Sequence, residues 1–441
     1  MLRLGLYDPP YMNFAARTIS YPKTPIINDY FGSYVNPGMD KAMQASNSLY
    51  TALHFTAKRL IKIKIKFLNK YVSNLVAGAT DVVLLYTPLG SGWLHEEYHR
   101  SVMNLHYVNS FDDMNTFPFG KEVVSVHSVK DSSLIRMKAE NNPDFVRMME
   151  AGIEGQYNQI RQLQKENFFY QQDLPHTFLY LSSTINSIYY VFTCSTKSAD
   201  ELTNKMESEE DVNVQKRDFT GLDFNAWAYD LFHPDEPYQD RGIHPSGTGI
   251  RRYIRPSDMT GQELSYLRSQ GYFQFINLLS PALTSFSSLK LKRIKKGEYF
   301  GNFALRHLLT SFGCDFSGDV FLKTRKHNWL FSAHVYRNWN TTFGGLEAEL
   351  FDEAIQLRKN KMFITTRLMA WTQPSKQSFF SQTQQAGGLA ALTIDLPITK
   401  NLYFSVTGKV KSAGWVMGEV FLNQNASLLV GIRTNFYRKK S

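Results

Sequence analysis

The spacing of apolar residues changes once along the chain. In the first part they recur every three or four positions, the repeat of helices with one buried face; from Gly301 they alternate with polar residues, the repeat of strands. The first part predicts helices from about Asp40 to Tyr86, from Trp93 to about Asn104, from Asn142 to about Gln171 and from Gln262 to Phe286. Another follows Pro175 and reaches toward the charged segment Lys197 to Asp211. Asn142-Pro143-Asp144 is a good helix start, with a cap residue, a proline at the first position and an acid in the first turn. Residues 1–38 read as an irregular arm, 105–141 as mostly loop, and 215–260 as a loop-rich stretch without a catalytic pattern.

The second part alternates over long segments. Leu402, Phe404, Val406, Gly408 and Val410 make an apolar row against Tyr403, Ser405, Thr407, Lys409 and Lys411. The candidate strands are 301–311, 315–325, 328–338, 343–353, 361–371, 386–396, 401–411, 414–423 and 427–437. A soluble antiparallel sheet also alternates. Here the pattern runs almost without helical interruption, its polar rows carry charges, and the last segment ends in Phe436 and Tyr437. That ending resembles bacterial outer-membrane proteins, whose final strand usually closes on an aromatic residue; the trailing Arg438-Lys439-Lys440-Ser441 departs from it.

The fold class is therefore α+β in more than one domain. A mainly α-helical domain spans 39–288, after the arm, and an antiparallel transmembrane β-barrel spans 289–441. Bacterial barrels have even strand numbers, so the nine segments are read as eight strands, with ten as the second choice. A small barrel is filled by side chains and serves as an anchor more readily than a channel, which puts the helical domain on one rim and not inside. Trp329, Trp339, Trp371, Trp415, Tyr403 and Tyr437 are the expected edges of the apolar outer band.

Composition adds three points. Aromatics make up 14% of the chain, which suits girdles at membrane interfaces. Residues 289–441 carry 22 Lys+Arg against 9 Asp+Glu, net +13, while 1–288 carry 27 against 30, net −3. Because these basic residues sit in an alternating pattern, lumen and lipid headgroups are favoured over nucleic acid. Two cysteines, Cys194 and Cys314, exclude a disulfide framework and a cysteine-rich zinc site.

Lys58, Lys62, Lys66 and Lys70 recur every four residues, by default a solvated helix face, alternatively a contact with anionic lipid. The uncharged run Phe178 to Thr196 holds many Ser, Thr and Asn and reads as a buried helix. The opening MLRLGLYDPPYMNF does not read as a signal peptide, which counts against export of the chain as written.

The chemistry lies in His95-Glu96-Glu97-Tyr98-His99, which fits H-E-x-x-H. On a helix the two imidazoles are one turn apart and can reach one Zn2+ ion, while Glu96 addresses the metal-bound water as general base. The bland reading is a helix with incidental His and Glu. A catalytic zinc normally takes a third protein ligand.

Ala151, Gly152 and Gly155 in the later helix would let it approach this one closely, and Glu154 lies beside them. From His95 to Glu154 the chain resembles the gluzincin clan of metallopeptidases. That resemblance implies His95, His99 and Glu154 as zinc ligands and Glu96 as the catalytic base. Glu150, His106, His127, Asp112 and Asp113 remain competitors for the third position. A membrane-anchored zinc peptidase of a bacterial outer membrane, acting on a peptide or protein substrate, is the leading expectation. The alternatives are a non-enzymatic barrel protein whose helical domain binds protein partners or plugs a complex, and a transport barrel.

Overall fold

In the computed structural model, residues 1–18, 36–115, 126–170, 176–281, 289–291, 299–357 and 360–435 are described. Ten helices are present among them: α1 Tyr11–Ala15, α2 Met39–Leu60, α3 Lys66–Val83, α4 Ser91–Leu105, α5 Asp131–Glu140, α6 Asn142–Tyr170, α7 Thr177–Cys194, α8 Lys197–Glu209, α9 Asp223–Phe232 and α10 Gly261–Phe273. The helix expected over 40–86 is two helices. Ile61-Lys62-Ile63-Lys64-Ile65 puts a β-branched residue at every second position, which suits extended backbone, and both Ile61 and Ile65 are extended. The four-lysine stripe is therefore interrupted. The segments read as loop contain α5 and α9.

The strands are β1 Leu2–Tyr7, β2 Phe111–Asp112, β3 Val126–His127, β4 Leu289–Leu291, β5 Tyr299–Thr310, β6 Gly313–Lys323, β7 Asn328–Arg337, β8 Thr342–Leu357, β9 Asn360–Pro374, β10 Gln384–Pro397, β11 Leu402–Lys411 and β12 Asn425–Thr434. β4 to β12 form one antiparallel sheet in chain order, and β1 pairs with β12 to make ten strands in all. Among the described residues no pairing joins β1 to β4.

Two expectations about the strands are corrected. Residues 2–7 of the supposed irregular arm alternate Leu2, Leu4, Leu6 against Arg3, Gly5, Tyr7 and make the edge strand, with Arg3 held inward by Asp395 and Ser405. Segment 414–423 is not a strand: Trp415, Val416, Met417, Val420 and Leu422 are all buried, an apolar run with no polar face to alternate against. It folds back over α6, where the Gly418 amide donates to Glu154 and the Val420 carbonyl accepts from Arg147.

The sheet is inverted relative to a sheet in water. Its covered face is charged: Arg306, Asp319, Ser332, Glu347, Asp395 and Arg433 are buried. Its open face is apolar: Leu305, Val320, Phe331, Leu346, Leu368 and Phe404 are exposed, Leu346 by 69%. The charged rows are neutralised by a helix. Arg161 of α6 reaches Asp319 (3.1 Å), Ser332 and Glu347 (both 2.9 Å), and Lys165 reaches Glu349 (2.8 Å). One turn further, Phe168 and Phe169 pack on Phe321 and Phe351.

The helical part thus does not sit wholly at the rim; the second half of α6 lies on the sheet's charged face, where its bases pair with Asp319, Glu347 and Glu349. Trp371, Trp415 and Tyr403 also point to this covered side, so they are not outer edges, whereas Trp329 stacks on Phe331 of the open face at 5.6 Å. Tyr437 lies outside the described residues. One apolar cluster runs from Trp93 and Leu94 through Met148 and Trp227 to Leu308, Trp371 and Trp415, so helices and sheet share a core.

Candidate metal centre

The helix α4 is buried from Ser91 to Asn104 although it carries two His, two Glu and an Arg. Burying charge is costly unless each group finds a partner. Glu97 and Arg100 pair with each other, with Asn115 and Ser110 adding hydrogen bonds. Three buried side-chain atoms of α4 have no hydrogen-bond partner among the described residues: Ser91 Oγ, Glu97 Oε2 and His99 Nε2.

Both imidazoles converge on one carboxylate. Asp223 Oδ2 lies 3.2 Å from His95 Nε2 and 3.6 Å from His99 Nε2, and each of the three residues offers an atom within 4.8 Å of the others. Around zinc with bonds of about 2.0–2.1 Å, tetrahedral ligand atoms stand about 3.3 Å apart. The two distances to Asp223 bracket that value, and two imidazoles and a carboxylate are a donor set that zinc takes. The orphaned His99 Nε2 is the second mark of a fit, since a nitrogen without a hydrogen bond in a buried site is available as a ligand.

The surroundings orient the donors. His99 Nδ1 donates to the Met148 carbonyl at 2.5 Å, which leaves its Nε2 toward Asp223. Gln156 lies near His95 and accepts a hydrogen bond from Ser187. Asp223 opens α9, and its amide donates to the Tyr190 hydroxyl at 3.1 Å. Two residues earlier Gly221 has φ +77°, and a Cβ there would stand 2.7 Å from the Tyr253 ring. Gly152 lets α6 pack on the pair, because a Cβ would fall 2.3 Å from His95 Nε2 and 2.4 Å from His99 Nε2. Gly155 plays the same part beside Tyr98, so the close approach expected from these small residues is present.

Charge is distributed unevenly here. Burial pushes His95 away from its charged form, and Asp223 only partly opposes that. Burial acts on His99 in the same direction, but there the Asp223 carboxylate wins and the pKa is raised. Asp223 itself, despite burial, is held well below the usual carboxylate range by the two histidines. Glu96 is pushed well above its ordinary value by burial and then by Asp112, Asp223 and Asp218.

A cavity of about 340 Å³ adjoins the site, lined among others by Tyr86, Gly92, Gln156, Ser183, Asn186 and Tyr189. Gln156 joins its wall to His95. A cleft of this size can hold a short stretch of substrate; His95, Glu96, His99 and Asp223 are not among its lining residues.

Of the residues singled out from sequence, His95, Glu96 and His99 come together. Glu154 does not join them: its carboxylate is bound by Arg147 at 2.9 Å and by the Gly418 amide at 2.7 Å. Glu150 accepts from Trp415 Nε1, His106 meets Asp144, His127 meets Asp113, and Asp112 caps Met114. Asp223, which completes the set, was not anticipated. Its only signal is an acid two residues after a glycine, at the start of the helical run Phe224 to Phe232, a pattern too common to single out. Comparison of the chain with protein-family models, curated proteins and solved structures finds no match.

Proposed function

We propose that the protein is a zinc-dependent peptidase anchored in a bacterial outer membrane, with His95, His99 and Asp223 as metal ligands and Glu96 as general base. The observation that supports this reading most is the convergence of the two Nε2 atoms on Asp223 Oδ2 at 3.2 and 3.6 Å. A zinc ion held there would polarise a substrate carbonyl and lower the pKa of a water to about 7.

Glu96 then takes the proton of the attacking water. Burial and the acids around it raise its affinity for protons, the direction a general base needs. The Met148 carbonyl keeps the His99 ring turned with Nε2 inward. Gln156, in the cleft wall, can align the substrate backbone against His95.

The anchor is the inverted sheet, read as the wall of a transmembrane barrel. An exposed row of Leu, Val and Phe over a buried row of Arg, Asp and Glu is the arrangement that lipid outside and a charged interior require. No helix is long and apolar enough to cross a membrane among the described residues. With α6 on its charged face, the interior suits an anchor better than a transport channel.

The test is the contrast between neighbouring side chains. Glu96→Gln should keep zinc and lose about 10²–10⁴-fold in hydrolysis of a fluorogenic peptide library, the usual cost of losing a general base. His95→Ala should lose zinc and hydrolysis together. If zinc content is the same in all three proteins and no peptide is cleaved by any, the helical part is a docking module and not an enzyme.

A further inference from the structure

From Lys41 to Thr80 the chain has no acidic residue and seven basic ones: Lys41, Lys58, Arg59, Lys62, Lys64, Lys66 and Lys70. Lys62, Lys64, Lys66 and Lys70 are exposed and make no ion pair among the described residues. Beside them stand large apolar side chains in water. Phe67, Tyr71 and Leu75 form a stripe along α3 at four-residue spacing, and Phe67 is 80% exposed. On α7, Phe178, Leu181, Ile185 and Tyr189 form a second stripe, with Tyr189 68% exposed.

The two stripes are neighbours, because α3 and α7 pack through Gly78, where a Cβ would meet the Phe178 ring at 2.3 Å. The apolar surface continues past Phe192, whose ring lies 5.4 Å from that of Tyr272, to exposed Phe275 and Leu279. Leu279 reaches the sheet, since its carbonyl accepts from the Leu305 amide, and Leu305 is on the open face.

We propose that this face docks on an anionic bilayer surface, the lysines at the headgroups and the aromatic stripes in the boundary below them. The mixture is what an interfacial helix needs: a basic edge for attraction and an apolar face for insertion. A solvated face accounts for the lysines alone, but leaves Phe67, Tyr71, Ile185 and Tyr189 unexplained as one contiguous patch. The occupant is a lipid surface and not a protein helix, because the complement required is negative charge at the lysine edge, Lys62 to Lys70, beside an apolar face that spreads over two helices. Ile185 and Tyr189 also border the cleft that Gln156 lines.

The proposal extends the membrane reading from the sheet to the helices and is independent of the metal. Two labels separate it from the sheet's role. An environment-sensitive fluorophore is attached to Tyr71→Cys or to Val320→Cys in the full-length protein, whose native Cys194 and Cys314 are buried. Each protein is reconstituted in vesicles of phosphatidylcholine with or without phosphatidylglycerol. The Tyr71→Cys label should be quenched severalfold more by lipid-borne nitroxide in anionic vesicles than in neutral ones. The difference should vanish at high salt or on changing Lys62, Lys64, Lys66 and Lys70 to Glu.

A Tyr71→Cys label equally open to aqueous iodide in both vesicles overturns the proposal, even if the Val320→Cys label is in lipid. Quenching at Tyr71→Cys without quenching at Val320→Cys upholds it and removes the sheet as anchor.

Discussion

Asp223 Oδ2 lies 3.2 Å from His95 Nε2 although 128 positions separate the two residues in the chain. Glu154, much nearer in sequence, is locked to Arg147. The two acids should therefore fail differently. Asp223→Ala should lower zinc affinity by more than the 10–100-fold typical of groups behind the ligands, and leave the apoprotein folded. Glu154→Ala leaves Arg147 buried without its carboxylate and should cost about 3–5 kcal/mol of stability with or without zinc. Zinc titration and thermal unfolding of both apoproteins give the comparison.

Gly152→Ala should weaken the site from outside the ligand set. The added methyl would sit 2.3 Å from His95 Nε2, against rings held on a buried helix and not against a flexible chain end. Overpacking of about 1–3 kcal/mol outweighs the gain of up to about 1 kcal/mol from replacing a helical glycine. The melting temperature should fall, and zinc affinity should fall at least tenfold, since the imidazoles must move to admit the methyl.

What the sequence made legible was local. His95 and His99 at helical spacing, the alternation of eight of the nine candidate strands, and the small residues of α6 are patterns within a few residues of one another. What it hid was long-range. Asp223 is a ligand candidate only because α9 starts beside α4, and nothing near Asp223 encodes that. The segment around Trp415 imitates a strand in composition but has no polar row, because it is buried between α6 and the sheet, held by Glu154 on one and Gln373 on the other. β1 was visible as an alternation of six residues, yet its partner lies at the other end of the chain, where Leu2 meets Thr434. The position of α6 follows from charge: the inward rows of β6 and β8 carry Asp319, Glu347 and Glu349, and Arg161 and Lys165 sit four residues apart to meet them.

Arg161→Met tests that coupling of helix and sheet. Removing one partner from a buried ion-pair network costs about 3–5 kcal/mol; Arg306 and Arg367, which also reach Asp319 and Glu347, should hold the loss toward the lower end. Thermal unfolding in detergent micelles followed by circular dichroism should show helix and sheet melting together at a lower temperature. Loss of helix signal with the sheet transition unmoved would mean the network does not join them.

Phe331→Arg probes the open face of the sheet. In a lipid-facing wall an Arg near the midplane costs about 2–4 kcal/mol, whereas on a face in water a surface substitution stays within about 0.5 kcal/mol. Denaturant titrations in phosphatidylcholine vesicles read the difference. A penalty in the lower range would leave the apolar row without a lipid partner.

The most direct measurement is the zinc X-ray absorption spectrum of the purified protein beside that of Asp223→Ala. The expected result is stoichiometric zinc with nitrogen and oxygen neighbours at about 2.0–2.2 Å, multiple scattering from two imidazoles, and loss of the bound metal in Asp223→Ala. Zinc without imidazole scattering, or a spectrum and stoichiometry unchanged by Asp223→Ala, would show that the convergence of His95, His99 and Asp223 is not a metal centre.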